Sequence, residues 1–247
     1  MNPIIMPDQS FSFKQFSIRQ NYAAMKVNTD SVLLGAWAAN MMEGEERKLL
    51  DIGTGTGLLS LMMLQKNHNL EIDAVEIDSE ACKDAAFNFQ QNESTMRLYH
   101  LDFAEFKETT HQKYDIIISN PPYFEPINLS KINNTQWPDA HRAKARFHDS
   151  LPFETLADAS SLLNAKGSFF LIIPMLFLQE IETCFKNKKL HKQYYTFVKT
   201  IENKGVSRVL CKFGKDEVQF DQDQLILYHQ NIIKTSAYES LVGDYYL

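Results

Sequence analysis

The chain has few cysteines, glycines or prolines: 3, 9 and 8 among 247 residues. Cys82, Cys184 and Cys211 lie far apart and form no Cys-x-x-Cys pair. That argues against a disulfide scaffold or a zinc knuckle, and no metal site is expected. Three buried thiols are expected instead. So little Gly and Pro excludes collagen-like and low-complexity chains. Long apolar runs are missing too. The longest, Phe169 to Leu178, contains Pro174 and is shorter than the ~20 residues that span a bilayer. No basic segment followed by an apolar one opens the sequence, so no signal peptide is expected. Positive charge is in deficit, with 25 Lys and Arg against 31 Asp and Glu and a net charge of -6. This disfavours a non-specific nucleic-acid coat protein but leaves room for a local basic face. With 44% hydrophobic and 23% charged residues, the reading is a folded, soluble, cytoplasmic protein with one large domain.

The apolar pattern alternates between strand and helix. Phe11, Phe13, Phe16 and Ile18 suggest an N-terminal strand or hairpin. Thr29 or Asp30 is placed to cap a helix bearing Val32, Leu33, Ala36 and Trp37. Strands are expected at Lys48–Ile52, Glu71–Glu76, Met96–His100, Tyr114–Ser119 and Gly167–Ile173. Helices are expected at Leu58–Leu64, Glu80–Phe89 and Glu154–Leu163. This rhythm predicts an open, mostly parallel sheet with helices on both faces, whose strand C-termini form the ligand edge. Tyr194–Lys199 and Val206–Phe213 read as an antiparallel pair at the C-terminal edge, with Leu225–Tyr228 a further strand and Ser236–Val242 a last helix. Residues 1–40 read as an N-terminal extension packing on a catalytic domain of residues 41–247.

Asp51-Ile52-Gly53-Thr54-Gly55-Thr56-Gly57 follows a strand and opens a helix. Glycines let the backbone approach a ligand closely, and a helix N-terminus adds unpaired N–H groups. The spacing is neither Gly-x-Gly-x-x-Gly nor a Walker loop. Asp51, ahead of the glycines, suits an amino-acid head group better than a pyrophosphate. Glu76 ends the next strand, where a carboxylate accepts from a ribose diol. Asp102 is placed to accept from an adenine amino group, with Phe103 against the ring; a helix cap is the alternative role for Asp102.

Asn120-Pro121-Pro122-Tyr123 follows the buried strand Tyr114–Ser119. The prolines fix the chain and remove two N–H donors. What remains is a side-chain amide, backbone carbonyls and an aromatic ring. One Asn oxygen and one proline carbonyl match the two N–H donors of a planar amino group, while Tyr123 stacks on the ring that carries it. Such a set holds an exocyclic amine in line with a methyl donor.

Together these segments resemble the class I S-adenosylmethionine-dependent methyltransferases, and Asn120 to Tyr123 resembles the motif of their amino-methylating members. Phe11 to Phe16, Ala24 to Trp37, Asp73 to Glu76, Ile116 to Tyr123 and Tyr238 to Leu247 are similar to one family over nearly the whole chain. That family is the bacterial tRNA adenine-N6 methyltransferases acting on position 37 of the major valine tRNA. The resemblance implies a Rossmann-like fold and an S-adenosyl-L-methionine cofactor. It puts Asp51, Gly53, Gly55 and Gly57 on the methionine part, Glu76 on the ribose and Asp102 with Phe103 on the adenine. Lys26, Thr29 and Asp30 join the cofactor set, and Asn120, Pro121 and Tyr123 hold the target base. The family often has Gly where Asn28 stands here, a change that Asn tolerates in the left-handed region. A guanine-N2 RNA methyltransferase and a glutamine-amide methyltransferase acting on a release factor share this chemistry. The strand-like N-terminus, in place of a separate helical domain, and the basic run described next favour RNA over a release factor.

That run, Lys186 to Lys215, holds nine Lys and Arg against Glu202 alone. In an acidic chain this points to a face for a polyanion. The segment after Tyr123 adds Arg142, Lys144 and Arg146, with Trp137 and Phe147 as rings for a splayed base. The expected partner is the anticodon region of a tRNA, bound by a monomer.

Overall fold

Three consecutive isoleucines, Ile116 to Ile118, cannot all face one side of a strand, so their strand must be covered on both faces. The computed structural model shows this; it describes residues 9–92, 94, 96–122 and 151–247. A hairpin of β1 (Ser10–Ser12) and β2 (Ser17–Arg19) comes first, then helix α1 (Thr29–Asn40). The alternation follows as β3 (Lys48–Ile52), α2 (Leu58–Lys66), β4 (Glu71–Glu76), α3 (Ser79–Gln91), β5 (Arg97–His100), α4 (Phe103–Thr109) and β6 (Tyr114–Ser119). Beyond residue 150 come α5 (Phe153–Ala157), β7 (Leu163–Pro174), α6 (Leu178–Asn187), β8 (His191–Ile201), β9 (Arg208–Gly214), β10 (Asp221–Tyr228) and α7 (Ser236–Val242).

The main sheet has the order β10-β8-β9-β7-β6-β3-β4-β5. Only β9 opposes the rest, pairing antiparallel with both β7 and β8. The antiparallel strand expected at the C-terminal edge therefore lies two strands in from it. β10, parallel to β8, takes the edge. Alternate residues feed two cores. Leu49, Ile116, Ile118, Phe170 and Ile172 meet α1, α2, α3 and α7 on one face, while Leu50, Ile117, Phe169 and Leu171 meet α4, α5 and α6 on the other. Fully burying each such side chain contributes roughly 1.5–3 kcal/mol. The three cysteines are buried free thiols, Cys184 and Cys211 within the second of these cores. No helix among the described residues is long and apolar enough to cross a membrane.

Helix α1 starts one residue earlier than the expected caps. Asn28 is the N-cap, its side chain accepting from the Ser31 backbone N–H at 2.9 Å. Its φ of -140° is extended, so the position makes no left-handed demand.

Chain order reverses between β3 and β6, with β4 on one side of β3 and β6 on the other. Ligands bind in such sheets in the crevice at this switch point, outside the strand C-termini.

Candidate active site

Three glycines with positive φ shape the turn after β3: Gly53 at 71°, Gly55 at 57° and Gly57 at 83°. Their reasons differ. A Cβ on Gly57 would lie 2.3 Å from Cε1 of Phe89, so the helix packs tightly on its neighbour there. A Cβ on Gly53 or Gly55 would meet nothing within 4 Å. Both of these border a cavity of about 480 Å³, within the usual range for small-ligand sites. The turn leaves room for something that is not protein.

The cavity lies at the switch point. Gly53, Gly55, Glu76, Asp102, Phe103 and Asn120 all line it, which brings together six of the residues singled out in the sequence. Glu76 ends β4 with its carboxylate against the turn, accepting from Gly55 N–H at 2.8 Å and from Asp78 N–H at 2.9 Å. Burial raises its pKa from the ordinary value, and those backbone bonds partly oppose the shift. Asp102 is a helix cap that also borders the cavity. Its Oδ1 caps α4, accepting from Ala104 N–H at 2.8 Å, and the residue borders the cavity. Phe103 beside it is buried in the same core as Ile52 and Val75.

Asp51 stands behind the turn, fully buried and not on the cavity wall. Oδ2 accepts from the hydroxyls of Thr54 and Ser60, both at 2.7 Å. Oδ1 has no hydrogen-bond partner among the described residues. Burial pushes the carboxyl pKa up to about 6, against the two hydroxyl bonds. Its visible task is to hold the turn from beneath, and Gly57 likewise serves packing.

Asn120 reaches the cavity from the end of β6, its Nδ2 donating to Ser31 Oγ at 2.9 Å. Pro121 is buried beside it and Pro122 lines the wall. Tyr123 lies outside the described residues, as do Arg142, Lys144, Arg146, Trp137 and Phe147.

Three expected cofactor residues are not brought to the wall. The Lys26 ammonium donates to the Gln9 side chain on the surface. Thr29 is exposed in the first turn of α1. Asp30 pairs with Arg208 at 2.8 Å, joining α1 to β9. From this stretch the cavity takes Ala23, Ala24 and Met25 instead. Their position is dictated from α3. Buried Asp84 accepts from Tyr22 N–H at 2.7 Å and Ala23 N–H at 2.9 Å, and pairs with Arg19 at 3.1 Å. Asn88 donates to the carbonyls of Arg19 and Thr56, both at 2.8 Å, so one amide joins this wall to the glycine turn. Small apolar residues in a loop carry no chemical signature, which is why the sequence did not reveal them. The Asp84 and Asn88 pair, one helical turn apart on an otherwise apolar face, was the signal available.

The basic run does not form one face. His191 pairs with Gly214 at one end of the sheet, and Val198 with Arg208 at the other. Lys186 to Lys192 and Lys215 therefore lie at the edge away from the cavity, with Lys188 paired to Asp158 at 2.6 Å and Lys192 to Glu182 at 3.3 Å. Lys199, Lys204 and Arg208 lie toward the cavity edge.

A turn open to a ligand, a buried carboxylate on the neighbouring strand and an oriented amide beside them make a site for a nucleoside-bearing group and a second reactant. Comparison with known proteins narrows it. Residues 20–136 match the methyltransferase small domain family. A Flavobacterium psychrophilum tRNA1(Val) (adenine(37)-N6)-methyltransferase is 38% identical over 240 residues, 96% of this chain and 99% of the relative. A Christiangramia forsetii protein of the same name is 39% identical over 247 residues, 98% of this chain and 99% of the relative. The chain belongs to the tRNA1(Val) (adenine(37)-N6)-methyltransferase family. Among solved structures, a predicted O-methyltransferase from Agrobacterium tumefaciens superposes with a TM-score of 0.65 at 16% identity, covering 87% of this chain and 96% of that one. That likeness speaks to the fold alone, a class I methyltransferase sheet. Membership of this family makes a methyl donor and an adenine amine the two reactants.

Proposed function

We propose that this chain transfers a methyl group from S-adenosylmethionine to N6 of adenine 37 in valine tRNA, in the cytoplasm. One observation carries the assignment of roles. The Asn120 amide, with its Nδ2 committed to Ser31, shares a single cavity with Gly53, Gly55 and Glu76.

S-adenosylmethionine fits the residues present. Gly53 and Gly55 leave the space a side chain would fill. Glu76 retains lone pairs for a ribose diol beyond its two backbone bonds. Asp102 Oδ2, not used in the cap, and Phe103 suit the adenine. Asp51 and Gly57 keep the turn in shape beneath the methionine part. When bound, the cofactor supplies an electrophilic methyl group and leaves as the thioether.

The chain's own work is to hold the amine. Asn120 Oδ1 and the Pro121 carbonyl accept the two N6–H donors and keep electron density on the nitrogen as its bond to carbon forms. Neither group takes up a proton; the extra one leaves N6 for solvent once the nitrogen carries the methyl group. Tyr123 stacks on the target ring, which must leave its RNA stack to enter. Arg142, Lys144 and Arg146 hold phosphates of the tRNA. Residues 1–40 act as an extension that supplies the Ala23–Met25 wall to the domain of residues 41–247, and the working unit is the monomer.

The test is methyl transfer from labelled S-adenosylmethionine to total tRNA from a strain lacking the gene. The modified nucleoside is then mapped by mass spectrometry. N6-methyladenosine at position 37 of valine tRNA is expected, and Asn120→Ala should keep cofactor binding while losing most turnover. Label confined to ribosomal RNA, or to an added release factor, would move the substrate elsewhere.

A further inference from the structure

An asparagine that must accept from an amine works in only one of its two amide orientations. Flipped by 180°, it would present an N–H to an N–H. Something has to choose the orientation, and the fold contains a directional chain that does. Asn28 Nδ2 donates to the Lys26 carbonyl at 3.2 Å, which leaves its Oδ1 facing α1. That oxygen accepts from the Ser31 backbone N–H at 2.9 Å and from the Ser31 hydroxyl at 3.3 Å. The hydroxyl hydrogen is thereby spent, so Ser31 Oγ meets Asn120 as an acceptor. Asn120 Nδ2 donates to it at 2.9 Å. A backbone carbonyl and a backbone N–H, neither of which can invert, fix the polarity at one end. Each link then dictates the next, and the last turns Oδ1 of Asn120 away from Ser31.

We infer that Ser31 is a positioning residue for methyl transfer: its hydroxyl, oriented by Asn28, locks the Asn120 amide with its oxygen toward the target amine. The inference rests on the role proposed for Asn120. It also gives a second use to the start of α1. Lys26 contributes a carbonyl rather than its ammonium, and Asn28 serves both the helix N-terminus and the site.

Ser31→Ala keeps the backbone cap to Asn28 and removes the hydroxyl, with its long bond to Asn28 and its role as acceptor for Asn120. The single-turnover methylation rate should fall roughly five- to tenfold, the usual worth of one neutral hydrogen bond at the upper end of its range. The dissociation constant for S-adenosylmethionine, measured by calorimetry, and the Tm should stay at wild-type values. Ser31→Thr, which restores the hydroxyl, should recover the rate to within about twofold. Ser31→Cys, similar in shape with a weak acceptor, should behave like Ser31→Ala and serves if that variant does not fold. A wild-type rate in Ser31→Ala, a Ser31→Thr rate as slow as Ser31→Ala, or a rate loss matched by lost cofactor affinity would each overturn the inference. If the unmutated chain methylates no tRNA, the functional reading fails, and that outcome is distinct from all three.

Discussion

Two glycines of one turn, Gly55 and Gly57, should fail in different ways when each is changed to alanine. Both have positive φ, so each substitution costs about 1–2 kcal/mol for a left-handed L-residue. At Gly57 the new Cβ would also lie 2.3 Å from Phe89 Cε1, a ring that is buried in the core. Overpacking of this kind adds about 1–3 kcal/mol, which brings Gly57→Ala to roughly 2–5 kcal/mol. Gly55→Ala meets no atom within 4 Å and carries no such addition. Its methyl group instead enters the cavity, where it should weaken S-adenosylmethionine at least tenfold, about 1.4 kcal/mol. Urea denaturation without ligand reads the first quantity and calorimetric titration the second. Equal stability loss in the two variants, or wild-type cofactor affinity in Gly55→Ala, would refute the division of the turn into a ligand side and a packing side.

Burial holds the Asp51 carboxyl pKa at about 6, above its ordinary 3.8, so the folded state binds the extra proton between these values. The contribution of Asp51 to stability is then fully present below about pH 4 and lost as the pH rises through about 6. Unfolding from pH 4 to 7 should show Asp51→Asn gaining on the unmutated chain across that interval, by about 2–3 kcal/mol at neutral pH; a pH-independent gap would contradict burial of the carboxyl as its cause. Asp84→Ala strips partners from two backbone N–H groups and Arg19 and should cost about 3 kcal/mol or more, with weaker cofactor binding as the Ala23–Met25 wall loosens; unchanged affinity in the folded fraction would show that this wall is not part of the cofactor site. Replacing Arg142, Lys144 and Arg146 together with alanine should weaken tRNA binding and flatten its dependence on salt, and an unaltered slope in filter binding would remove these residues from the RNA contact.

Much of the sheet was legible because its strands are buried on both faces. Lys48–Ile52, Glu71–Glu76 and Tyr114–Ser119 have in the structure the limits their apolar runs suggest. Helix α4 was not, since seven residues hold too few turns to establish a period. Helix α6 carries Ile181, Cys184 and Phe185 at helical spacing, a usable signal that sits directly behind the apolar run ending β7. The place of β9 between β7 and β8 depends on pairings between strands distant in sequence, which no local pattern encodes. In the site, residues whose type announces a chemistry were readable: glycines at a turn, Glu76 at a strand end, Asn120 before two prolines. Residues recruited by geometry were not. Ser31 looks like any serine in a first helical turn until Asn120, 89 positions later, comes to meet it.

The wall built by Ala23, Ala24 and Met25 has a consequence for the order of events at synthesis. The hairpin that leads into it closes on residues made much later: Lys14 N–H donates to the Tyr245 carbonyl at 2.8 Å, and Phe13 stacks on Tyr246 at 6.0 Å. Asp84 and Asn88 have been made long before that contact becomes available. A nascent chain thus has its glycine turn, Glu76 and the α3 groups that hold the wall early, while the hairpin's contacts to residues 245 and 246 come last. Contacts this distant in sequence form slowly because loop closure precedes their reward. The hairpin therefore gains its final packing only after the glycine turn and Glu76 have been made.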